Sequence, residues 1–215
     1  MSSVHGLLRS FLRQLAADAR VYARFERDGE RMGRAWAVGT ALMSRGLWLL
    51  TFHRLSHFCI RHHHDRDAVW WAVRAASALG RVFSVVACRS EIVSECEIGA
   101  SVYLSSQGYL ICGARSIGSG TVVHDHCTFG QDVVGRAEGL PHVGKDVWIG
   151  PGCILSGLIV VGDGATLMPH SFVRSSVPAR AVVSGNPARI VRRDFDNARL
   201  RNRPRIVADA CELDS

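Results

Sequence analysis

Between Thr121 and Gly130 the sequence reads T-V-V-H-D-H-C-T-F-G. Histidine takes up and returns a proton near neutrality, and a neutral imidazole also ligates metal ions. His124, Asp125 and His126 therefore raise three readings: a general base beside an acid, a metal site completed by His142, or a polar patch without chemistry. On a regular strand side chains alternate, so His124 and His126 would point one way and Asp125 the other. An imidazole oriented in that case draws on a group from elsewhere, such as Glu138 or His142. No metal is expected, because these three histidines lack the convergent spacing of a zinc site.

What positions the triplet is a period of six. Aliphatic or aromatic anchors fall at Ile92, Ile98, Leu104, Leu110, Ile117, Val123 and Phe129, then at Val143, Ile149, Leu155, Val161, Leu167 and Val173. Four positions after an anchor stands a small or β-branched residue, among them Cys96, Thr121, Cys127, Cys153 and Ala165. A period of six fits neither an amphipathic helix nor a hairpin; it fits a coil with three short faces, each one hexapeptide long. Anchor and small residue both point into a narrow prism, so the cysteines in the small slot read as packing atoms. One long step, Phe129 to Val143, marks a projecting loop over residues 131–142.

Residues 1–89 lack this period and read as an α-helical N-terminal domain, with helical spacing in F-L-R-Q-L-A-A-D-A-R-V-Y-A-R-F and again near 34–60 and 67–86. His62-His63-His64 falls between the last two as a solvated linker. Residues 90–191 form the coil, and 192–215 read as a basic C-terminal tail.

The 47% hydrophobic content is that of a folded protein. The most apolar stretch, A-V-W-W-A-V-R-A-A-S-A-L-G-R-V-F-S-V-V-A-C, carries Arg74 and Arg81, so it reads as a helix packed on protein and not as a membrane span. Unpaired cysteine spacing and the lack of a signal-peptide pattern point to the cytoplasm. The net charge of +7 is carried by dispersed arginines without a nucleic-acid-binding motif. Nucleic acid is therefore not an expected partner.

Coil, loop and helical N-terminus together resemble the serine acetyltransferase branch of the left-handed parallel β-helix (hexapeptide-repeat) acyltransferases. F-H-R-L-S-H-F (Phe52 to Phe58) is similar to that branch's Tyr-Arg-x-Ala-His segment. P-H-V-G-K-D-V-W-I-G-P-G (Pro141 to Gly152) is similar to the coil after its loop, and V-P-A-R-A-V-V-S-G-N-P-A-R-I-V (Val177 to Val191) to its closing signature. The resemblance implies a homotrimer or dimer of trimers, with acyl-CoA, most simply acetyl-CoA, lying between neighbouring coils. It implies a histidine that deprotonates a small hydroxylated acceptor.

The sequence departs from that branch at both family histidines. Where an Asp-His pair is expected, it reads Y-L-S-S-Q-G (Tyr103 to Gly108), so the histidine maps to Ser105 or Ser106; Leu140 replaces the second. Three anchor steps separate Leu104 from Val123, so Ser105 should lie beneath His124 and Ser106 beneath Asp125, about 4.8 Å away. The substitute site would then comprise His124, Asp125, His126 and His142 with Ser105, Ser106 and Glu138 around the acceptor. The resemblance lays the pantetheine arm along Ser156, Gly157, Ala165 and Ser184, with Arg189 and Arg192 meeting the CoA phosphates. A transferase-like binding or scaffold protein, or a transferase acting on an amine or a polysaccharide hydroxyl, are the alternatives.

Overall fold

The computed structural model describes residues 2–27, 39, 44–61, 68–105, 109–132 and 138–202. Ser106, the His62–His64 linker and the middle of the projecting loop (133–137) lie outside the described residues, as does 203–215 of the tail.

From Glu91 onward the chain winds as a three-sided parallel β-helix. The first sheet stacks β1 (Glu91–Ile92), β4 (Ile111–Cys112), β7 (Thr128–Gly130), β10 (Ile154–Ser156) and β13 (Phe172–Val173). The second stacks β2 (Glu97–Ile98), β5 (Ser116–Ile117), β8 (His142–Val143) and β11 (Val160–Val161). The third stacks β3 (Tyr103–Leu104), β6 (Val122–Val123), β9 (Trp148–Ile149), β12 (Thr166–Leu167) and β14 (Val182–Gly185), closed by antiparallel β15 (Ala188–Arg192). Where no loop intervenes, partners lie three hexapeptides apart: His142 pairs with Val160, Trp148 with Thr166, Ile154 with Phe172.

The anchors form one continuous core, and the small-slot residues Cys96, Cys127, Cys153 and Ala165 are buried among them. Two corners of the prism turn through left-handed backbone, each using one position per coil. One such column is Arg89, Tyr109, His126, Gly152 and His170; the other is Ser101, Gly120, Asp146, Gly164 and Arg180. Most non-glycine residues resist this conformation, and Asp and His are among those that adopt it more readily.

Three helices precede the coil: α1 (Ser2–Arg27), α2 (Arg45–Arg61) and α3 (Ala68–Val86). Helix α1 covers the third sheet. Tyr22 and Phe25 pack on Tyr103, Val122 and Trp148, and the Tyr22 hydroxyl donates to the Leu104 carbonyl (2.8 Å) while accepting from the Leu104 amide (2.9 Å). Arg54 of α2 ties helices to coil, with its Nε 2.7 Å from Asp18 Oδ2 and further donations to the carbonyls of Ile98 and Gly99. After β15 a short helix, α4 (Ala198–Asn202), is strapped back by Asn197, whose amide reaches the carbonyls of Asp146, Gly164 and Ala165.

Candidate active site

Strand β6 ends at Val123, and its ladder partners fix the place of the next residue, His124. Register puts Ser105, His124, Gly150, Met168 and Ser184 in one column along the edge of the third sheet, one per coil. The ladder continues through these residues: the Ser105 amide donates to Val123, His124 to Ile149, Gly150 to Leu167 and Met168 to Val183. Ser105 therefore stands one strand from His124, at the spacing of about 4.8 Å expected of parallel neighbours. Gly150 and Met168 were not singled out from the sequence, although counting anchors forward from Val123 reaches both.

His124 is 7% exposed and meets Trp148 edge-to-face, with ring centroids 5.1 Å apart. Its Nε2 is buried and has no hydrogen-bond partner. Burial lowers its pKa below the ordinary 6.5, against a smaller upward pull from Asp125. The ring is thus neutral at physiological pH, with basicity unspent. One carboxylate oxygen of Asp125, Oδ1, is likewise buried without a partner.

The expectation that His124 and His126 share a direction is overturned. Asp125 and His126 form the corner turn, and His126 takes a φ of 59°. That swings its ring outward, where it stacks on Tyr109 (4.8 Å, 11° between planes), and Arg89 Nη1 donates to the Tyr109 hydroxyl. Alternation holds only within a strand, and the strand has ended. His142 lies on the outer face of the second sheet, its Nδ1 3.1 Å from Ser116 Oγ. Within one chain, therefore, His124, His126 and His142 are not brought together, and among the described residues no group of three His, Cys, Asp or Glu side chains is placed to hold a metal ion.

On the cofactor side, Ser184 lies on the His124 column, with Arg189 and Arg192 exposed on the adjoining β15; Arg192 covers the Phe195 ring at 5.2 Å. Ser156 and Gly157 sit at another corner, beneath the loop, where Ser156 Oγ donates to the Gln131 carbonyl and Gly157 turns at a φ of 91°. Glu138 is exposed on that loop. Ala165 is a correction: it is wholly enclosed, because the small slot that accepts it points into the prism, so it offers a cofactor no surface. A cavity of about 710 Å³ lies elsewhere, between α1, α2 and the second sheet, lined by His53, His57, Glu97 and Lys145, and by none of the residues assigned from the sequence.

No family model matches the chain. Over 143 residues it is 27% identical to a serine acetyltransferase of Staphylococcus aureus, covering 66% of this chain and 65% of that protein. A shorter stretch of 55 residues is 44% identical to a chloramphenicol acetyltransferase of Agrobacterium fabrum, about a quarter of either chain. Among solved structures, the serine acetyltransferase of Vibrio cholerae superposes with a TM-score of 0.73 at 22% identity, covering 91% of this chain and 70% of that one. A serine acetyltransferase of Brucella abortus in complex with coenzyme A superposes with a TM-score of 0.63 at 21% identity over 86% of this chain and 74% of that one. The chain spans just under two thirds of the curated serine acetyltransferase it matches. By fold over nine tenths of its length, and by sequence over two thirds of it, the chain is serine acetyltransferase-like.

Proposed function

We propose that this chain is an acyl-CoA-dependent O-acyltransferase, acetyl-CoA being the donor, acting on a small hydroxylated acceptor with His124 as base. The observation that carries the reading is the orphaned, buried Nε2 of a neutral His124, in register with Ser105 on one side and with Gly150, Met168 and Ser184 on the other. Three strand spacings from His124 to Ser184 make about 14 Å, a length suited to an extended pantetheine arm running from Arg189 and Arg192 toward the imidazole.

In this reading Nε2 takes the acceptor's hydroxyl proton as its oxygen attacks the thioester carbonyl. The carbon–sulfur bond then breaks and the imidazolium returns the proton to the leaving thiolate. The column's amides from Ser105 to Met168 are engaged in the ladder, so side chains hold the acceptor, and the Ser105 hydroxyl, one strand from His124, is assigned that part. The coil is left-handed and assembles as a trimer or dimer of trimers, with the loop corner of a neighbouring copy (Glu138, His142, Ser156, Gly157) facing the His124 column. The coenzyme A complex of the Brucella relative supports the donor. The buried free thiols of Cys59, Cys88, Cys96, Cys112, Cys127 and Cys153 fit the reducing cytoplasm.

The test begins with calorimetric titration of acetyl-CoA and of CoA, followed by an acceptor screen for CoA release. His124→Ala should keep donor binding and lose a factor of roughly 10²–10⁴ in rate; His126→Ala should change the rate less than threefold. Absence of binding to either ligand would sink the reading. It would favour a transferase-like binding protein, for which the near-complete burial of His124 is the supporting observation.

A further inference from the structure

Helix α3 is packed the opposite way from an ordinary surface helix. The side it turns to the protein is made of small residues: Ser77, Gly80 and Ser84 are buried, and a Cβ on Gly80 would fall inside the ring of Phe52 on α2. The side it turns outward carries its large apolar residues, with Trp71 58%, Leu79 72%, Val82 62% and Val86 72% exposed. Phe83, edge-on to Phe52, continues this surface to Trp48, which stacks on the same ring. A contiguous apolar surface of this kind marks an interaction site.

Charge selects the occupant. α3 contains no acidic residue; its charges are Arg74 and Arg81, one heptad apart on the same flank of the apolar arc. Arg74 lies over the Trp70 ring at 5.4 Å, and the carboxylate that Arg81 meets, Glu91, is 3.9 Å away with both side chains mostly exposed. Two copies of α3 laid together would set arginine against arginine without a compensating acid on either helix. A surface that is apolar inside and anionic at its rim satisfies both features, and the whole chain adds a net charge of +7. No helix of the described residues is long and apolar enough to cross a membrane, so the contact is one of lying on it.

We infer that the outward face of α3 docks this protein on an anionic phospholipid surface. Leu79, Val82 and Val86 enter the boundary between headgroups and acyl chains, Trp71 sits at headgroup depth, and Arg74 and Arg81 meet lipid phosphates. The inference does not depend on the acyltransferase reading.

Flotation of the full chain with vesicles of phosphatidylcholine and phosphatidylglycerol (3:1), and of phosphatidylcholine alone, tests it. Binding is expected to the first and far less to the second, weakening as salt rises. R74Q/R81Q should lower the vesicle partition coefficient roughly 30-fold, and L79E/V82E should abolish binding with the far-ultraviolet circular dichroism unchanged. No partition into the anionic vesicles, or partition that these variants leave intact, overturns the inference. So does a fall in the solution mass of L79E/V82E by light scattering, which assigns the face to a second copy of the chain.

Discussion

His53 and His124 are both imidazoles in the interior, and both are held neutral by burial, but their nitrogens are used differently. The Nε2–H of His53 donates to the Cys96 carbonyl at 3.0 Å and fastens α2 to the coil, leaving Nδ1 buried without a partner. Burial pushes its pKa down from 6.5 to about 4. The unfolded chain therefore binds a proton below 6.5 that the folded chain refuses until about 4, so stability should fall as pH drops through that window, by up to about 3 kcal/mol. Thermal unfolding followed between pH 7 and 4 checks this: His53→Gln, which keeps a donor for Cys96, should show a flatter dependence than the parent. A slope unchanged in the variant would assign the titration elsewhere. For His124 the same depression predicts that the acid limb of any rate profile falls below the ordinary histidine value, because the base stays unprotonated to lower pH. The triplet itself was legible as a candidate for chemistry from residue types alone. Its geometry was not, because the alternation rule was extended past Val123 into a corner, where φ of 59° sets His126 apart.

At the scale of elements, the six-residue period carried nearly all of the coil. Ile117, Val123, Phe129, Val143 and their fellows all lie in one core, because a prism this narrow accepts only one anchor and one small residue per face. The same rule, followed to its end, would have removed Ala165 from the residues expected to meet a cofactor, since the small slot that defines it is interior. Helix α3 was harder. Its composition announced a helix packed on protein, but not that the packing side would be Ser77, Gly80 and Ser84 while the large side chains face outward. Contact with Phe52 decides that orientation, and Phe52 belongs to another element. Gly80→Ala separates the two influences. In an exposed helix interior this change stabilises by roughly 1 kcal/mol. Here the methyl group meets the Phe52 ring, and overpacking of that kind costs about 1–3 kcal/mol. The expected outcome is a net loss in denaturant unfolding, with a gain showing that the α2–α3 seam yields.

For the whole molecule the question is which side of the prism remains for other copies. The third sheet is covered by α1 and by the strap that ends in α4, through Tyr22, Phe25 and Leu200. The second is overhung by α1 and α2, which flank the open cavity beside His53 and Glu97. Among the described residues the first sheet is met by a helix only at β1, where Arg81 of α3 reaches Glu91, and its further outward residues include Ile111 and Ile154, aligned through Thr128 and followed by Phe172. If the His124 column is completed by a neighbour's loop corner, assembly should run through this sheet, and donor binding should depend on it. Light scattering is then expected to give three or six times the chain mass of 23.5 kDa. Ile154→Glu places a charge at the centre of the stripe and should reduce the particle to single chains that keep their circular dichroism. Acetyl-CoA titrated into those chains should bind at least tenfold more weakly than into the parent. Single chains that bind acetyl-CoA undiminished would show that the site is complete within one coil. Glu138, His142, Ser156 and Gly157 would then drop out of it, and Ser105, His124 and Ser184 would have to hold both substrates alone.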